Sequence, residues 1–233
     1  MIEQTLKLLR EQDAAAAIDF LTQQKDATAV AKTYRDLVEH CYWKDKDLTA
    51  VILMARAGIQ HGLVAARQTR KTDIADDLRS SAKIISFNLA SYTWPGWDEP
   101  GIAIGPGEVA IGLDAAKTNL RLAHELKKGD LPLSRAYWML AGQQLARQEY
   151  GEAQANFEAA TRHATAASAR AEELLAQGFS ILTQILAASE TTALQSRLDE
   201  IKAQLNSVEH GPDFVQQIET AHRVFTLPVA SPA

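Results

Sequence analysis

Three acids stand close to two tryptophans in the segment SYTWPGWDEPGIAIGPGE, residues 91–108: Asp98 and Glu99 follow Trp94 and Trp97, and Glu108 closes the segment. An indole environment can raise a carboxyl pKa or stack a sugar ring, the setting of general acid/base or ligand-orienting chemistry. Neighbouring carboxylates need not converge on one cavity, so no catalytic residue is assigned from this pattern. The six histidines, at 40, 61, 124, 163, 210 and 222, form no pair at four-residue spacing, and no local carboxylate or thiol cluster completes a ligand set. No metal site is predicted. Cys41 is the only cysteine, which excludes an intrachain disulfide and a one-chain thiolate cluster. It falls on the apolar stripe Val30, Tyr34, Leu37, Val38, Cys41, Tyr42 and reads as a small buried side chain. The sequence has no phosphate loop, dinucleotide glycine fingerprint, zinc helix or calcium loop, and Gly96, Gly101, Gly105 and Gly107 lack the preceding strand that a nucleotide turn requires. No cofactor is expected.

The elements that must position these residues are helical. Hydrophobic residues make up 46% of the 233, largely as alanine, and aromatics only 6%, a composition suited to closely approaching helices. Apolar periodicity predicts helices at about 2–11, 14–24, 27–43, 48–68, 73–92, 108–127, 168–188, 192–206 and 211–225, with a helical hairpin across 135–165. Asp13 and Asp26 are placed as N-caps. Val51, Met54, Ala55, Gly58, Ile59 and Gly62 form a small-residue face for close packing. The 91–108 segment carries too much proline and glycine for regular structure. Its Tyr92, Trp94, Trp97, Ile102 and Ile104 gain free energy only when covered, so it should fold back onto helices or be completed by a ligand or partner. The chain reads as one α-helical domain over 1–225 with this irregular insertion, followed by a frayed tail at 226–233.

In RAYWMLAGQQLARQEYGEAQANFEAATRHAT, Tyr137, Leu140 and Ala141 lie on one face of a first helix, and Tyr150, Ala153, Phe157 and Ala160 follow helical spacing on a second. This order of aromatic and small residues resembles the tetratricopeptide repeat. Ala141 stands where that family usually has glycine, Gln144 where it has tyrosine, and Thr165 where proline commonly closes the repeat. The resemblance implies an all-α array of antiparallel helix hairpins wound into a right-handed α-α superhelix. It also implies that first helices of successive pairs line a groove for a peptide or a partner's helix. On that mapping Arg135 and Trp138 flank the core of one such helix, and Lys117, Arg121 and His124 lie on the helix before it.

Charge narrows the partners. With 24 basic and 29 acidic residues the formal charge is -5, so no positive field exists to concentrate a polyanion. The basic run Arg67, Arg70, Lys71 is followed at once by Asp73, Asp76 and Asp77, and nucleic acid is not expected as a partner. Glu3, Arg10, Glu11 and Asp13 interrupt the start where a secretory leader would need an apolar run. The most apolar stretch, Ala50–Ala57, is broken at Arg56 and falls far short of the roughly 20 residues that span a bilayer. A cytoplasmic location without membrane contact is the expectation. The function expected is that of a noncatalytic module binding a peptide or partner protein in a helical groove. The alternative is a small-molecule-binding protein or enzyme whose pocket is covered by residues 91–108, with Trp94 and Trp97 as a wall and Asp98 or Glu99 orienting a polar ligand. A homodimer through the first helices or the Leu194, Leu198, Ile201, Leu205 seam is compatible with either.

Overall fold

The computed structural model describes residues 1–226; residues 227–233, which carry nearly all of the expected tail, lie outside the described residues. Eleven α-helices and no strand occur among the described residues, 81% of which are helical. They are α1 (Ile2–Glu11), α2 (Ala14–Thr22), α3 (Ala27–Trp43), α4 (Leu48–Gln68), α5 (Thr72–Tyr92), α6 (Pro106–Glu125), α7 (Asp130–Ala146), α8 (Tyr150–Ala166), α9 (Arg170–Ala187), α10 (Thr192–Leu205) and α11 (Gly211–Thr226). Within the irregular segment, Pro95–Trp97 form a single 3-10 turn. Thr226, expected in the tail, closes α11.

Helix starts follow local chemistry. Asp13 accepts a hydrogen bond from the Ala16 amide at 2.8 Å, and Asp26 accepts from Thr28 and Ala29, both at 3.0 Å, satisfying first-turn donors that no helical carbonyl can reach. Asp47 caps α4 in the same way through the Ala50 amide at 2.9 Å. At the start of α6 the Glu108 carboxylate accepts from the Gly105 amide at 2.9 Å, so this acid is committed to capping.

The described residues group into two compact units, one of residues 1–93 and 114–127, the other of 94–113 and 128–226. In the first, α1 packs on α2 and α3, α2 on α4, α3 on α4 and α5, and α4 on α5. The close approach depends on α4. A Cβ at Gly58 would stand 2.7 Å from the Tyr34 Cβ, and one at Gly62 would stand 2.8 Å from the Leu78 carbonyl oxygen. Tyr34, Leu78 and Ile85 can therefore lie directly on the α4 backbone, where all three are buried. Taken whole, α4 has the length and hydropathy to cross a bilayer, more than the interrupted 50–57 stretch suggests. Its Ala50, Val51, Met54, Ala55, Gly58 and Gly62 are nonetheless buried in this unit.

In the second unit α7, α8, α9 and α10 each pack on the next, α7 also touches α9, and α9 touches α11. Of the residues that suggest a helix hairpin, Leu140, Ala141, Ala153, Phe157 and Ala160 are buried, and Tyr137 and Tyr150 are half-buried. The α7–α8 and α8–α9 connections share one hydrogen-bond pattern. The Gln148 and Glu149 amides donate to the Leu145 and Gln144 carbonyls, and the Ser168 and Ala169 amides donate to those of Thr165 and Ala164. Gln148 (φ 60°) and Ser168 (φ 55°) take the left-handed conformation that lets each helix end and the chain reverse.

Candidate functional site

Trp94 sets the organisation of the 91–108 segment. Its indole is fully buried, and Nε1–H donates to the Gly142 carbonyl of α7 at 2.8 Å. Trp97, Trp138, Phe179 and Phe225 surround the ring with centroids 4.7, 5.4, 5.9 and 6.0 Å away. Two glycines make room: a Cβ at Gly96 would fall 2.4 Å from the indole, and one at Gly142 3.3 Å from Nε1. The segment thus folds back onto α7, α9 and α11 through its tryptophan, as the density of apolar residues predicts. Trp94 offers no surface to a ligand. Trp97 is half-buried and edge-on to Trp94.

The acids of this segment do not converge. Asp98 adopts φ 49° at the end of the 3-10 turn, and its exposed carboxylate pairs with Arg223 of α11 at 3.0 Å. Glu99 is half-buried, and Glu108 caps α6. Beside the segment lies an apolar groove of about 430 Å³, lined mainly by Pro95, Ile104, Pro106, Val109, Val224 and Phe225, with neither tryptophan nor Asp98 or Glu99 in its wall.

Lys117, Arg121 and His124 belong to the first unit, and Arg135 and Trp138 to the second. Arg121 is exposed and bonds Glu125 at 2.6 Å; Arg135 is exposed and bonds Glu172 at 2.6 Å. Trp138 is only 7% exposed and packs against Phe179 at 5.0 Å, with its Nε1–H buried and unpaired. No group of three His, Cys, Asp or Glu residues placed to hold a metal ion occurs among the described residues. Cys41 is buried, and its thiol is pushed up to about 11, first by burial and then by Asp45 and Asp47.

An open groove of about 560 Å³ lies in the second unit. Its floor is a stripe of α9, Gln177, Ser180, Ile181 and Gln184, at helical spacings of three and four. Glu158, Thr161 and Arg162 of α8 form one wall, and Arg197, Glu200 and Ile201 of α10 the other. Each wall therefore carries an i, i+3, i+4 stripe, the set of positions that one face of a helix presents. Part of this lining is internally committed. Gln154 donates to Glu158 at 2.8 Å and to the Ser180 hydroxyl at 2.7 Å, leaving its own buried Oε1 without a partner. The side chains of Arg162, Gln184, Arg197 and Glu200 make no hydrogen bond or ion pair within the described residues.

None of these four was singled out in the sequence, because each reads as an ordinary polar residue on the outer face of its own helix. The periodicity was visible, but not that three such faces meet. Searches with family models, among curated proteins and among solved structures found no match to this chain.

Proposed function

We propose that this chain is a noncatalytic interaction module of tetratricopeptide-like build that holds an extended peptide of a partner protein in the α8–α9–α10 groove. The observation that carries this reading is the groove itself: an open channel floored by one helix and walled by two, with uncommitted side chains on all three. Amide side chains on a rigid helix suit peptide recognition, since Gln offers both a donor and an acceptor to a peptide backbone. Gln177 and Gln184 are seven residues apart, about 10.5 Å along a helix, or about three residues of extended chain.

The tetratricopeptide-like reading draws support from the second unit. The α7–α8 pair joins through the small and aromatic positions of the resemblance, two successive turns repeat one pattern, and alternate helices α7, α9 and α11 touch. That resemblance would seat a ligand on the first helices of each pair. The groove instead has one such helix as floor and the second helices α8 and α10 as walls, which shifts the proposed contacts from Arg135 and Trp138 to Arg162, Gln184 and Arg197.

The test is selection of a displayed 12-residue peptide library on the full chain, followed by binding of the selected peptides to a Gln184→Trp variant whose groove is filled. Peptides that bind the parent and lose at least tenfold in affinity with the variant, at unchanged melting temperature, support the reading. Selection of no peptide, or of peptides indifferent to Gln184→Trp, overturns it.

A further inference from the structure

Resting on the peptide-groove reading, we infer the chemistry of the peptide: an extended segment with acidic residues placed to meet Arg162 and Arg197 and a basic residue placed to meet Glu200. Eight of the thirteen arginines are paired: Arg10 with Asp45, Arg35 with Asp36, Arg79 with Asp76, Arg121 with Glu125, Arg135 with Glu172, Arg147 with Glu149, Arg170 with Glu173 and Arg223 with Asp98.

Arg162 and Arg197 are two of the five arginines that make no pair among the described residues, although carboxylates stand near them in the sequence. Arg162 lies four residues after Glu158, a spacing that permits a helical ion pair, yet Glu158 takes its hydrogen bond from Gln154 instead. Arg197 lies three residues before Glu200 and the two do not pair. Both guanidiniums line the same groove from opposite walls, one on α8 and one on α10. A guanidinium is the side chain best shaped to grip a carboxylate through two parallel N–H donors.

The uncommitted charges of the groove are therefore two cations and one anion. A polyanion such as a phosphorylated or nucleic-acid chain would meet Glu200 and Glu158 as like charges, while an uncharged peptide would leave both guanidiniums unanswered. A segment of mixed sign, with an acid for each unpaired guanidinium and a base for Glu200, answers all three, while Glu158 keeps its charge beside Gln154.

The decisive experiment uses peptides selected by display on the full chain, synthesised with a fluorophore and titrated by polarisation against the parent, the Arg162→Ala/Arg197→Ala double variant and Arg197→Glu. Expected are peptides enriched in Asp and Glu with an interspersed Lys or Arg, a Kd raised at least tenfold by the double variant, and affinity falling as salt rises. Replacing the peptide's critical Glu by Lys should restore binding to Arg197→Glu. Circular dichroism melting confirms that the variants fold. Selected peptides without acidic residues, or a double variant within twofold of the parent, overturn the charge inference; if those peptides still lose binding with Gln184→Trp, the groove reading stands without it. Absence of any groove-dependent peptide overturns both.

Discussion

The Trp94 indole fills a site made for it by Gly96 and Gly142, so its effect on stability should far exceed that of its neighbour Trp97. Trp94→Ala should lose about 3–5 kcal/mol through the cavity it leaves, together with the lost hydrogen bond to the Gly142 carbonyl. Trp97→Ala, at a half-buried position, should lose clearly less in a urea titration of both variants. The Cys41 thiol, pushed up to about 11, should resist alkylation at pH 8 in the folded protein and react once denaturant exposes it. A mass-spectrometric time course with iodoacetamide reads both states; rapid labelling of the native protein would contradict the burial.

His222 gives a pH dependence with a definite sign. Its folded pKa lies below the ordinary 6.5, first because burial disfavours the charged ring and then because Lys202 repels it. Below pH 6.5 the unfolded chain therefore takes up a proton that the folded chain resists. Stability from this group is full above 6.5 and is lost as pH falls through that value toward the lower folded pKa. Between pH 7.5 and 5.5 the parent should lose more melting temperature than His222→Gln, and equal losses would refute the assignment.

Elements are held at their ends and along their small-residue faces, and the two behave oppositely to substitution. Gln148 and Ser168 occupy left-handed turns where a side chain is strained, so glycine at either should stabilise by about 1 kcal/mol, seen as a higher denaturation midpoint at constant slope. Gly62 faces the Leu78 carbonyl, which cannot step aside as a side-chain tip can. Gly62→Ala should destabilise by about 1–3 kcal/mol despite alanine's better helix propensity. Only the second effect was legible in the sequence. The periodic alanines and glycines of α4 marked a packing face, whereas the left-handed turns carry no glycine to announce them.

For the whole molecule, the far-UV circular dichroism spectrum should correspond to about four fifths helix, and a substantial strand component would contradict the architecture. Helix number, helix order and the all-α class were decided by the sequence alone. Periodicity and capping are local: 3.6-residue repetition, Asp13 and Asp26 at helix starts, and the proline-glycine interruption after Tyr92 act within a turn or two of chain. The burial of Trp94 was half legible, since an indole in a proline-rich segment must be covered by something. Which partners cover it, Gly142, Phe179 and Phe225 from three distant helices, only the tertiary structure decided. The same holds for the groove. Arg162, Gln184 and Arg197 each sit on the polar side of a separate helix, and whether they face solvent alone or share one channel depends on how those helices cross. That crossing is set by side chains many residues apart in the chain, such as Gly178, whose missing Cβ leaves space that the Ile218 and Ile201 side chains approach.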